Sequence, residues 1–185
     1  MNNVLKSELE ELIEAKEWSK LKTLANEKSN DFGGSSLVAI ESIYQLLNLL
    51  SYGTYKNYAE HDEIAQTLYD IFENSFSKFH DDPEYLFFVG YCIALNDRYF
   101  KQGDLKLSHT LLRKAFDLEP DNLLYEWGFR FSTSDREARK VTEQIVNNDD
   151  ISNTLRKKLS AGKFMVEAIL NAERRFKSGR IEQDD

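Results

Sequence analysis

The chain has 185 residues, 41% of them hydrophobic and 30% charged, and a net charge of −8. That balance predicts a soluble globular protein, long enough for one domain with a real core. Two prolines and eight glycines are too few for the turns of an all-β fold, and the single cysteine, Cys92, excludes both an internal disulfide and a cysteine zinc site.

No apolar run approaches the ~20 residues needed to span a bilayer. The opening segment, MNNVLKSELEELIEAKE, is acidic and periodic rather than a signal peptide, which with the lone cysteine points to a cytoplasmic location. Residues 3–28 read as two short helices. Val4, Leu5, Leu9, Leu12 and Ile13 give one apolar face, and Trp18, Leu21, Leu24 and Ala25 the next. Residues 30–36 read as a loop in which Ser35 or Ser36 caps the following helix, and no lysine follows Gly33-Gly34 at P-loop spacing. The stretch 37–52 is apolar nearly all round, which predicts a central, buried helix.

A polar connection at 52–62 then carries Tyr52, Tyr55 and Tyr58, followed by Asp62. Tyrosine joins a large apolar ring to a hydroxyl and loses little rotamer freedom, so these rings are candidate anchors for a partner. The alternative is that they cover the ends of neighbouring helices. Residues 62–79 form an amphipathic pattern with Ile64, Leu68, Ile71, Phe72, Phe76 and Phe79 inward.

Residues 89–122 read as a helical hairpin. A long helix from 84 to 102 turns at Gly103-Asp104, and a second helix runs to Glu119 before Pro120 stops it. Leu105, Leu111, Leu112, Ala115, Phe116 and Leu118 mark the inner face of the second helix. This stretch resembles one tetratricopeptide repeat of about 34 residues. Leu95, Tyr99 and Pro120 match the pattern, Ser108 and Ala115 fill its small positions, and Leu112 replaces its aromatic. Cys92 stands where a large aromatic is usual, and Asn96 where a glycine lets the helices approach. The resemblance implies stacked helix pairs and a concave groove for a protein or peptide, with Asp97, Lys101, Glu126 and Arg130 presented by its inner helices.

After Asn122, one helix carries Leu123, Leu124, Trp127 and Phe131, and another, from 135 to 146, carries Ala138, Val141, Ile145 and Val146. A turn at 147–150 leads to a final segment, 151–177, that is one helix or two broken near Gly162; residues 178–185 read as a frayed tail. The charge is uneven along the chain: 12 basic and 22 acidic residues through Glu126, then 12 basic and 10 acidic from Trp127. An acidic body repels nucleic acid and favours a basic protein partner. The basic groups at 156–158 and 174–175 lack interleaved aromatics and read as a solvated helix face.

Two His-Asp pairs, His61-Asp62 and His80-Asp81, resemble elements of the HD metal-dependent phosphohydrolases, which would need them to converge on one ion. No G-x-S-x-G occurs, and Cys92 lies inside an apolar run. The expectation is therefore an all-α fold of about eight or nine helices stacked as antiparallel pairs in a short tetratricopeptide-like superhelix, one domain over 1–177. It is expected to bind a protein, with no catalytic residues, metal or cofactor and no nucleic-acid or membrane partner. In size, acidity and helical build the chain is similar to some immunity proteins of bacterial contact-dependent growth inhibition systems. That likeness implies an inhibitor covering the active site of a basic toxin, with the peptide scaffold as the alternative and the phosphohydrolase as a remote one.

Overall fold

The computed structural model describes residues 3–30, 35–53, 57–100 and 105–178. Among them the chain is all helix, with ten α-helices, one 3-10 helix and no strand. The helices are α1 (Asn3–Glu14), α2 (Trp18–Asn30), α3 (Leu37–Tyr52), α4 (Tyr58–Phe79), α5 (Pro83–Leu95), α6 (Leu105–Leu118), α7 (Leu123–Thr133), α8 (Asp135–Val146), α9 (Asp149–Lys158) and α10 (Ser160–Lys177). No described helix is long and apolar enough to cross a membrane.

Local chemistry explains most boundaries. Asn57 accepts a hydrogen bond from the Glu60 amide at 3.0 Å, so α4 starts at Tyr58 and not at Asp62. The expected connection at 57–62 is thus the first turn of a helix. Asp82 accepts from the Glu84 and Tyr85 amides at 2.9 and 3.1 Å with Pro83 at the first helical position, which fixes the start of α5. Ser35, rather than Ser36, accepts from the Leu37 amide. The expected turn at 147–150 is shorter than foreseen, because Asn148 caps a helix that begins at Asp149.

The helix expected over 84–102 ends at Leu95, and a separate 3-10 helix, Asp97–Tyr99, follows. The cause is tertiary. Breaking the helix lets Tyr99 and Phe100 turn inward: Phe100 meets Phe72 edge-on at 5.2 Å, and the Tyr99 hydroxyl donates to the Leu50 carbonyl at 3.2 Å. The turn expected at Gly103-Asp104 lies outside the described residues, as do Tyr55, Lys101, residues 31–34 of the first loop and the tail from 179.

One apolar core runs from Leu9 in α1 to Phe176 in α10. Both α3 and α5 are central; α3 packs against α2, α4, α5 and α10, and α5 against α3, α6 and α7. The α5–α6 hairpin is the tightest pair. A Cβ on Gly90 would stand 3.1 Å from Leu111 Cβ and Leu112 Cγ, and Ser108 donates to the Gly90 carbonyl at 2.8 Å. Close approach therefore uses Gly90, not the Asn96 position of the repeat pattern. Ala115 is fully buried in the same hairpin, so Ala115→Leu should overpack it and cost roughly 1–3 kcal/mol in urea denaturation, with an unchanged midpoint marking spare room. Three residues expected inside are out: Val4, Leu105 and Leu118 are 78%, 65% and 46% exposed, each at a helix end beyond the packed stripe.

The last helix closes the structure. Phe164 of α10 meets Tyr44 of α3 at 5.7 Å and Tyr91 of α5 at 6.4 Å, while Arg175 lies over Phe131 of α7 at 5.5 Å. Helix α10 thus packs on α8 and α3, and its Phe164 and Arg175 reach single rings of α5 and α7. Its first turn is capped by Glu41 of α3, whose carboxylate accepts from the Ser160 and Ala161 amides at 2.9 and 3.4 Å and from Gln45 Nε2 at 2.9 Å. Glu41 is fully buried, and its charge faces the positive end of the α10 dipole.

Candidate functional site

The ends of several helices meet on one side of the molecule. Asn96, just after α5, donates to Ser51 Oγ of α3 at 3.4 Å. The Tyr99 oxygen collects three groups: Leu50 carbonyl, Arg98 Nη2 at 2.5 Å and His61 Nε2 at 3.2 Å. An ion pair between Lys16 and Glu60 brings in the α1–α2 turn. These contacts clasp the end of α3, the start of α4 and the 3-10 helix into one surface.

On that surface Tyr52 is 80% exposed and Tyr58 90% exposed. Among the described residues, neither ring covers a neighbouring helix end. Leu95 stands 45% exposed at the end of α5, and Asp62 projects into solvent one turn beyond Tyr58. Asp97 is half-buried on the 3-10 helix beside Tyr99. The structure therefore brings Tyr52, Tyr58, Asp62 and Asp97 to one end. Glu126 and Arg130 form a separate pair on α7, 3.6 Å apart, with Arg130 also 3.5 Å from Glu137 and over the rings of Phe116 and Phe129. Sequence reasoning took Leu95 only as a match to the repeat pattern and did not mark it as an exposed apolar group.

The two His-Asp pairs do not converge. His61 lies in the first turn of α4 and His80 just past its end, about 28 Å apart at 1.5 Å per residue. Among the described residues no group of three or more histidines, cysteines or carboxylates is placed to hold a metal. Of the basic groups, Arg174 donates to Asn171, Arg175 covers Phe131 and Lys177 pairs with Glu173; the side chains of 156–158 lie outside the description. At the opposite end of the helices, a cleft of about 660 Å³ is lined by Asp82, Glu84, Glu119, Tyr125, Asn148 and Asp150. Its Asp82 and Asn148 are spent as helix caps and Glu119 accepts from Asn122.

Cys92 is buried, and that burial, followed by the nearby Glu41 charge, pushes its thiol up to about 12. It is a core group and a poor nucleophile. Burial likewise raises the phenols of Tyr44 and Tyr91 to about 12, and those of Tyr85 and Tyr125 higher still. All five are held protonated in the fold, while the unfolded chain releases these protons from about pH 9 for the thiol and about pH 10 for the phenols. Their contribution is therefore complete below about pH 9 and is lost as the pH climbs toward 12. The urea midpoint should fall between pH 8 and pH 11; an equal midpoint at both would mean these groups reach water in the native state.

No protein-family model, curated protein or solved structure matches the chain. What the geometry defines is an all-helical chain with an exposed aromatic and acidic end.

Proposed function

We propose that the chain is a non-enzymatic protein-binding module, a short stack of helical hairpins of tetratricopeptide-like build. In its most specific form it is an acidic immunity protein that covers the active site of a basic bacterial toxin. The observation that carries this reading is the exposed end itself. Two largely exposed tyrosines, with Asp62 one turn from Tyr58 and Leu95 exposed at the end of α5, have the composition of interface anchors. The acidic excess of the first 126 residues supplies the charge that draws a basic partner.

The alternative, a scaffold gripping a peptide in a concave groove, draws less support. In such a groove the inner helices would be α3, α5 and α7, and α10 already packs on α3 and sets Phe164 and Arg175 against Tyr91 of α5 and Phe131 of α7.

Co-expression with the product of the adjacent reading frame, followed by titration calorimetry over a range of salt, tests the reading. A folded partner bound at nanomolar strength, with association that weakens as salt rises, is expected. Tyr52→Ala and Tyr58→Ala should each weaken that binding by about 2 kcal/mol while leaving helicity intact. Unchanged affinity in both variants would remove this end from the interface.

A further inference from the structure

The cleft of about 660 Å³ lies where α5, α7 and α9 begin, and each start brings its capping side chain there: Asp82, Asn122 and Asn148. Capping does not exhaust the acceptors. Asp82 takes the Glu84 and Tyr85 amides on Oδ1 alone, and its Oδ2 has no hydrogen bond among the described residues. Glu119 uses only Oε2 on Asn122. The Asp150 carboxylate lines the same space and makes no hydrogen bond or ion pair among the described residues.

The helix dipoles explain why acids gather at these starts. They do not explain Tyr125. This residue is 6% exposed, with its ring set against Phe87 in the core at 5.2 Å. Its hydroxyl has no partner among the described residues, although a buried phenol usually finds one. Burial raises this phenol, and the charges of Glu84, Glu119 and Asp82 raise it further, which sets the oxygen toward those carboxylates. The small part left uncovered therefore opens on the cleft that the residue lines. Beside it Phe88, Leu124, Ile151 and Leu155 give the cleft an apolar wall.

A surplus of acceptors around one space calls for a ligand rich in N–H groups. No lysine or arginine is among the described lining residues. Nor do three acids converge closely enough, among the described residues, to hold a metal ion. The carboxylates stand on separate elements, so the charge that matches them has to be spread along a chain. An aliphatic polyamine has that form: its methylenes lie on the apolar wall while its ammonium groups meet the acids.

We propose that this cleft is a binding site for an aliphatic polyamine. One ammonium group is held by Asp82 Oδ2, the open oxygen of Glu119 and the Tyr125 hydroxyl, and another meets Asp150 on the α9 side. The site lies at the other end of the helices from Tyr52 and Tyr58 and uses no protein partner. It is therefore independent of the toxin-inhibitor reading.

Titration calorimetry of the full chain with spermidine, at near-physiological ionic strength, is the test. A saturable one-to-one isotherm in the micromolar range is expected. Glu119→Gln and Asp150→Asn change exposed positions and should each weaken binding about fivefold. Tyr125→Phe keeps the ring on Phe87 and should weaken it by about as much, with helicity unchanged in circular dichroism. Glu27→Gln removes the same charge from the exposed side of α2 and should leave the affinity as it was. A heat that never saturates, or an equal loss in Glu27→Gln, marks a diffuse counterion effect and overturns the proposal. Saturable binding of magnesium chloride, or of a blocked lysine tripeptide, with spermidine silent overturns it too, since the cleft would then be a metal or peptide site.

Discussion

Glu41→Ala will lower the unfolding free energy by about 3 kcal/mol and loosen α10 before the rest of the molecule. The substitution removes the acceptor for the Ser160 and Ala161 amides and for Gln45, leaving buried donors unpaired, and takes away the charge that meets the α10 dipole. These losses fall at one place, where the last helix is tied to the middle of the chain. Amide exchange should therefore quicken across 160–177 more than across α4 or α5. Glu41→Gln keeps the shape and one acceptor oxygen, so about a third of the loss is expected. Equal exchange in α10 and α5 for Glu41→Ala would show that the carboxylate is not the tie.

This tie was the part of the fold least visible in the sequence. Glu41 is the one charged residue in the stretch 37–52, and that isolation was the available signal. An acid embedded in an all-round apolar helix has to be paired or capping something. Its partners lie 119 and 120 residues further along, which periodicity cannot reach. Where the cause of a boundary is local, sequence served well. The spans 37–52 and 135–146 emerge as read, because apolar spacing and flanking polar or small residues decide them. The break after Leu95 went unread because it depends on Tyr99 and Phe100 finding α3 and α4.

The candidate site divides in the same way. Tyr52 and Tyr58 stand out by residue type on the boundary of two helices, and exposure follows from their places at a last and a first turn. Which other residues join them depends on packing, and Glu126 and Arg130, grouped with Asp97 and Lys101 by the repeat resemblance, form their own charge cluster on α7 with Glu137. Where this resemblance implied an open groove, α10 packs on α8 and α3, and its Phe164 and Arg175 meet rings of α3, α5 and α7. Burying the apolar side of α10 against these helices is favourable at about 25 cal/mol per Å² of apolar area.

Trp127→Ala is expected to cost about 3–5 kcal/mol, the range for removing a large aromatic from a packed interior. Trp127 is fully buried on α7; its ring stacks on Phe131 at 5.0 Å and tilts against Tyr91 of α5 at 6.0 Å, while Nε1 donates to Thr142 Oγ1 of α8 at 3.0 Å. Phe131 in turn lies under Arg175 of α10, so four helices depend on one side chain. The loss should accordingly be global: a lower urea midpoint with the denaturant slope preserved, in contrast to the local opening expected of Glu41→Ala. Trp127→Phe separates packing from hydrogen bonding. Thr142 still donates to the Ala138 carbonyl at 2.8 Å, so no hydroxyl is orphaned and only about 1–2 kcal/mol should be lost. Trp18 remains as the fluorescent reporter in both variants. A Trp127→Ala protein within about 1 kcal/mol of the parent would mean that α7 and α8 are held to α5 and α10 by contacts other than this ring.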